Sequence, residues 1–418
     1  MAKATPKKQP SYIPSRDEII QSARDLVPVL RERAQKTEER RDLLPETIKD
    51  LKAAGIHKIF TPKRYGGFEM DWGTHVDVTR ELGKGCGSTS WVSSVVFCHT
   101  WLLARFPPEA QEEFWPDCPD AVCATAFAGG GTMTETDGGY ILNGQWKFSS
   151  GINHADCASV AASVGKYNPR SGQAPVFRMA LLLLDEYEVV DTWISEGLRG
   201  TGSNDIKVTD QFIPAHRTIL TEEAIGTKPP GSVLHDSYIY EVEFSPYFFT
   251  LLAGPLLGTA IGALEQYCEI TKNRLGQMFK ESVAEQVPVQ VRVGESVAEI
   301  EAANLVIDNL SKWLHETGAS GEDLPATALS VIRRGLAFAA QQCVSATTRL
   351  SGMMGVTGQT GNNPVQRHFR DCRTISTHGG IQWDASMSPT GKILLGVSTG
   401  DEKLDAADPA TILRIPNN

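Results

Sequence analysis

Between Asp120 and about Ile225 the periodicity of the chain changes, and that change constrains the fold more than any other feature. On either side, apolar residues recur at the three- and four-residue spacing of amphipathic helices. Inside the window the runs Val122–Ala126, Tyr140–Leu142, Ala158–Val164, Met179–Leu184 and Ile206–Phe212 are short, and Gly, Pro and Asn turns separate them. A small all-β domain, barrel or sandwich, is therefore expected between two helical ones. With 418 residues the chain is in any case too long for one ordinary core. The boundaries read as a helical domain over 15–118, a β domain over 119–225, a helical bundle over 237–396 and a polar, loosely held tail over 397–418. Glu223–Asp236, with Gly226, Pro229, Pro230 and Gly231, is the expected linker.

Ser15 can cap the first helix, with Asp17 and Glu18 at its positive end. Gly55 ends a later helix and Pro62 prevents its continuation. Val76–Ala104 gives two helical segments broken at Gly83–Thr89. Pro255–Arg274, Val293–Leu314 and Pro325–Leu350 are long helices, and after the Gly-rich break Gly352–Asn363 the chain resumes at Pro364–His378.

The formal charge of −10 argues against a nucleic-acid-binding surface. The short Lys3–Lys8 stretch reads as a disordered tail. No apolar run reads as long enough to span a bilayer, and no signal peptide opens the chain. Eight scattered Cys, without CxxC or zinc spacing, fit reduced core residues of a cytoplasmic protein with no metal site. Gly129-Gly130-Gly131 is not a dinucleotide fingerprint, because no helix follows it. With no NAD(P)H site, electrons for any redox chemistry must come from a partner.

Chemistry concentrates in Gly139–Asp156. Asn143-Gly144 is a two-residue hairpin signal, and the returning strand ends at Ser149-Ser150-Gly151. Such an end can present backbone N–H groups and a hydroxyl to the edge of a flat ring such as a flavin. A Ser-Ser pair before Gly is also ordinary turn chemistry.

The order helices, β domain, four-helix bundle resembles the acyl-CoA dehydrogenase fold: an α+β multi-domain chain with a central β-barrel. Pro45…Leu51…Gly55…Pro62…Tyr65-Gly66-Gly67, Asn143-Gly144…Phe148-Ser149-Ser150 and Arg370-Asp371 are similar to motifs of that family. The dehydrogenases place a catalytic Glu nine residues after that Arg. Here the position is Gly379, preceded by His378, and no carboxylate lies between Asp371 and Asp384. Gly197–Ser203 (GLRGTGS), Arg370-Asp371…His378 and the pairing of Trp91 with His99 resemble instead the two-component flavin monooxygenases of the same fold.

The resemblance implies a homotetramer that takes reduced FMN, or FADH2, from a separate NAD(P)H:flavin reductase. With O2 it would hydroxylate a small phenolic or indolic substrate through a C4a-hydroperoxide. It places Ser150 at flavin N5, Trp91 beside the ring system, and Thr125-Ala126-Phe127 with Phe148-Ser149 along the flavin. It also sets Arg274 on the phosphate from a neighbouring subunit and His99 beside substrate. Gly355 could let the backbone approach the cofactor, though a plain helix-ending loop explains it better. His378 is the expected catalytic residue, holding the peroxide or deprotonating substrate. Phe97, Trp101, Phe127 and Trp193 are the expected substrate wall. The competing expectation is a dehydrogenase whose base has moved to Glu265.

Overall fold

The computed structural model describes residues 12–116, 118–127, 130–165, 176–276 and 280–413. The Lys3–Lys8 stretch and Gly129 lie outside them. Helix α1 (Arg16–Arg40) starts where Ser15 and Glu18 form a reciprocal capping box. It is followed by α2 (Pro45–Ala53), α3 (Trp72–Gly85), α4 (Gly87–Leu103) and α5 (Pro108–Phe114). The break between α3 and α4 falls at Cys86, whose backbone is extended.

The β domain is one mixed eight-stranded sheet. Its strands are β1 (Cys123–Ala126), β2 (Gly131–Thr136), β3 (Gly139–Ser149), β4 (Cys157–Val164), β5 (Phe177–Leu183), β6 (Glu188–Val190), β7 (Asn204–Pro214) and β8 (Thr218–Leu220). They run in the order β6-β7-β3-β2-β4-β5-β8, with β1 added parallel to β4. Met133, Leu142, Trp146, Val160, Leu182, Ile206 and Ile213 fill its interior.

The expected hairpin turn is misplaced. β3 runs unbroken through Asn143-Gly144, and the two-residue turn is Asp137-Gly138, since Thr136 pairs with Gly139. Asp-Gly satisfies the same backbone demand as Asn-Gly. Asn143 instead sits in a register irregularity against β7, where its side chain exchanges hydrogen bonds with Asp210 at 2.9 and 2.8 Å.

The chain then forms α6 (Thr221–Ile225), α7 (Phe244–Phe248), α8 (Ala253–Lys272), α9 (Val287–Ser320), α10 (Ala328–Met353), α11 (Pro364–Ser376), α12 (Trp383–Leu395) and α13 (Glu402–Asp405). α3 lies directly on α8. A Cβ on Gly83 would come within 2.9 Å of the Gly258 backbone, so only glycine allows that approach.

Two expectations fail here. Phe244–Lys272 is long and apolar enough to cross a membrane, but 83% of its apolar window is buried inside the protein, which makes it a core helix. The C-terminal tail is also held: Ile412 is fully buried, and its carbonyl accepts from Arg334 at 2.9 Å.

Candidate active site

The site forms where α4, the end of β3, the loop before β7 and the turn after α11 converge. Every residue of α4 is buried. Trp91 and His99 lie eight residues apart, about two turns, and so share a face. Trp91 Nε1 donates to Ser150 Oγ at 2.9 Å, and its ring centroid lies 5.9 Å from that of His378. Ser150 and His378, singled out separately in the sequence, thus both meet Trp91.

Gly151 closes β3 with φ +70°, and a Cβ there would lie 2.6 Å from Val96 on α4. Its N–H donates to Thr201 O at 2.9 Å. This stitches the strand end to the 197–203 loop, where Ser203 Oγ meets Ser150 Oγ at 2.7 Å and Thr201 Oγ1 at 2.6 Å. The loop is anchored from α11. Asp371 accepts the Leu198 N–H at 2.6 Å, and Arg370 donates to Glu196 O at 2.6 Å. Burial raises the Asp371 carboxyl from 3.8 to about 6. The Arg-Asp pair therefore sets the shape of the hydroxyl-bearing loop from behind.

Arg333, on α10, fixes the turn that carries His378. It donates to Gly380 O at 3.1 Å and Gly379 O at 3.0 Å. The Gly380 N–H donates to His378 Nδ1 at 3.1 Å. In the neutral ring the proton must then sit on Nε2, so the imidazole offers an N–H donor rather than a base. His378 is open at the site's mouth, yet the protein packed around that mouth lowers its pKa, and Arg333 lowers it further.

His99 is buried between Phe248, stacked at 5.9 Å, and Phe127, edge-on at 5.9 Å. Burial lowers its pKa to about 3, so it stays neutral, and its Nδ1 has no partner. Thr125 Oγ1 is likewise buried and unpartnered, while Phe127 and Phe148 are 37% and 57% exposed. Polar atoms left unpaired beside open aromatic faces suit a flat ligand with polar edges, as a flavin is.

Other expected residues fall elsewhere. Ala126 and Ser149 are buried beside the exposed Phe127 and Phe148, and Ser149 Oγ, like Thr125 Oγ1, has no partner. Phe97 and Trp101 are both buried. Phe97 packs edge-on against His57, and Trp101 stacks one layer behind, on Phe244, with its Nε1 bonded to Ile239 O. Trp193 supports Phe148 from the side at 5.4 Å. Arg274 donates to the carbonyls of Met353 and Met354, next to Gly355 at the end of α10; its expected ligand belongs to a neighbouring subunit, which a single chain does not show. Glu265 is in a salt bridge with Arg31, which leaves the relocated-base expectation without its base.

Sequence reasoning missed Ser203, Thr201, Arg333 and Phe248. The GLRGTGS string was a signal for the first two, whereas nothing marked Arg333. A cavity of 420 Å³ near Arg41, Asp42 and Asn153 shares no residue with the site. Among the described residues no cluster could hold a metal.

Comparison with known proteins agrees with this geometry. Residues 14–117 match the acyl-CoA dehydrogenase N-terminal domain, and residues 250–383 match its C-terminal domain. The chain is 33% identical to a flavin-dependent monooxygenase, oxygenase subunit HsaA, of Mycobacterium tuberculosis, over 92% of this chain and 96% of that one. It is 28% identical to the oxygenase component of p-hydroxyphenylacetate 3-hydroxylase from Acinetobacter baumannii, over 91% and 89%. The crystal structure of the M. tuberculosis HsaA monooxygenase superimposes with a TM-score of 0.85 at 30% identity, covering 94% of this chain and all of that one. The chain belongs to the family of flavin-dependent monooxygenase oxygenase components, built on the acyl-CoA dehydrogenase fold.

Proposed function

We propose that the protein hydroxylates a small phenolic or indolic compound with O2 and reduced flavin delivered by a separate NAD(P)H:flavin reductase. The observation that carries this is His378. It stands beside the glycine that replaces the dehydrogenase carboxylate, touches Trp91, and is held so that Nε2 carries the proton. A reduced flavin bound there supplies the electron pair that activates O2 at C4a.

This chain's residues do the rest. Ser150 would meet the ring edge at N5, with Phe148 and Trp91 beside the ring system. Thr125 and the backbone of Ala126 and Phe127 line its polar side. His378 Nε2–H would offer a hydrogen bond to the activated oxygen, while His99 Nδ1 would accept a proton donor on the substrate, such as a phenolic O–H. The apolar wall is Phe127 and Phe248, backed by Phe244, and it keeps water from the reacting atoms.

Reduced FMN is the proposed flavin, with FADH2 as the second arm of the test. A homotetramer is proposed, supported by the exposed Trp383 and Leu395 of α12. The eight free cysteines fit a cytoplasmic location. The test is anaerobic titration with FMNH2 and FADH2, then air and a panel of phenols and indoles. A hydroxylated product that depends on reduced flavin is expected. No binding of either flavin, or oxidation of an acyl thioester instead, refutes the reading.

A further inference from the structure

We infer that Glu38, a buried carboxylate on α1, positions Ser150 from outside the candidate site by holding the 196–203 loop through Arg370. This rests on the placement of Ser150 at the flavin edge and extends it to a positioning residue that touches no ligand.

Glu38 lies in the charged end of α1, yet it is only 8% exposed. Three guanidinium groups gather on it. Arg367 Nε donates to Oε2 at 3.0 Å, Arg370 Nη2 lies 2.6 Å from Oε1, and Arg199 Nε lies 4.0 Å from the same oxygen. The first two stand on α11 and the third in the loop itself. Gln35, about one turn earlier on α1, receives the other arm of Arg367. Arg370 carries the contact onward. Its Nη1 donates to Glu196 O, where the loop begins, and its Nε to Gln366 Oε1, both at 2.6 Å. At the far end, Ser203 Oγ meets Ser150 Oγ at 2.7 Å, and Thr201 O accepts the Gly151 N–H at 2.9 Å. The loop also rests on α1 directly: a Cβ on Gly200 would come within 2.4 Å of the Thr37 side chain.

Glu38 must be charged because two guanidinium groups leave water beside it. Arg367 is 8% exposed, and the Arg370 side chain 15%. Among the described residues, neither pairs with any carboxylate but Glu38. Asp371, next to Arg370 in the chain, is occupied by the Leu198 N–H. Removing one partner from such a buried pair leaves an uncompensated charge. Arg370, the more open of the two, then relaxes toward solvent and releases Glu196 O. The loop is no longer held at its start, and Ser150 loses the fixed neighbour that orients its hydroxyl. A misplacement of about 1 Å at a reacting centre can cost about a hundredfold, so a distant carboxylate reaches the chemistry through position alone.

The experiment measures amide hydrogen exchange in the flavin-free protein and dissociation constants for anaerobically reduced FMN. Glu38→Gln keeps an acceptor but removes the charge. Exchange of the Thr201 and Gly151 amides should quicken about tenfold or more, while amides in the middle of α8 keep the wild-type rate. Arg370→Lys retains a charge beside Glu38 but cannot also span to Glu196 O, so it should quicken the same two amides. It decides the matter where Glu38→Gln does not fold. Reduced FMN should bind about tenfold more weakly to Glu38→Gln and to Ser150→Ala, the size of one net hydrogen bond. The double variant should bind no more weakly than either, because both act through one hydroxyl. Unchanged exchange at Thr201 and Gly151, or unchanged reduced-FMN affinity in Glu38→Gln, overturns the inference alone. Equal quickening in α8 marks a merely structural role and also overturns it, as do losses that multiply in the double variant. A wild type that binds no reduced FMN removes the flavin reading itself.

Discussion

Replacing Asp371 by Asn tests how the 197–203 loop is held. The carboxyl is 3% exposed and accepts the Leu198 N–H at 2.6 Å. Burial lifts its pKa from 3.8 to about 6. A raised folded-state pKa means that the protonated form favours folding. That stability is fully present below pH 3.8 and is lost as the pH rises through about 6. Two units correspond to roughly 3 kcal/mol of penalty carried by the wild type at neutral pH. Asn keeps an acceptor for Leu198 but cannot ionise. With an unfolding entropy of about 2.1 cal/mol/K per residue, Asp371→Asn should melt about 3 °C above wild type at pH 7.5 and level with it at pH 4. Asp371→Ala leaves the Leu198 N–H unpaired, at a cost of about 1–3 kcal/mol at every pH. It should therefore be least stable relative to wild type in acid. Scanning calorimetry of the three proteins from pH 4 to 7.5 decides the matter. A difference between Asp371→Asn and wild type that does not change with pH would refute the reasoning.

Two further perturbations act on the other anchors. Arg333→Met removes both the positive charge that lowers the His378 pKa and the donors to Gly379 O and Gly380 O. The His378 pKa should rise toward its ordinary value, as read from the imidazole NMR titration; a fall would contradict the assignment. Gly151→Ala places a Cβ 2.6 Å from Val96 at a left-handed backbone position. It should cost about 1–3 kcal/mol and weaken reduced-flavin binding, checked by thermal shift and anaerobic titration.

Much of the fold was legible because periodicity is a local property. The break at Cys86, the Ser15 cap and the long bundle helices needed no tertiary information. The Asn-Gly hairpin was misread because Asp137-Gly138 carries the same signal, and only pairing with β2 tells turn from bulge. Within the candidate site, Trp91, Ser150 and His378 could each be singled out from sequence, the last because a motif had lost its carboxylate, and the structure brings Ser150 and His378 to Trp91. Phe97 and Trp101 sit on a helix that is buried all round, where periodicity cannot say which apolar side chain faces a ligand. Arg333 acts from another helix through carbonyls, and a backbone contact leaves no trace in side-chain pattern. The contact between the Ser203 and Ser150 hydroxyls was beyond reach for a different reason: it joins two residues far apart in sequence.

The most direct measurement is the fraction of consumed O2 that appears as hydroxylated product, against H2O2, for wild type and His378→Ala supplied with the same reduced flavin. If the imidazole N–H faces the activated oxygen, coupling should fall tenfold or more while the melting temperature and reduced-flavin affinity hold. Coupling equal to wild type would mean that His378 does not perform the role its position suggests.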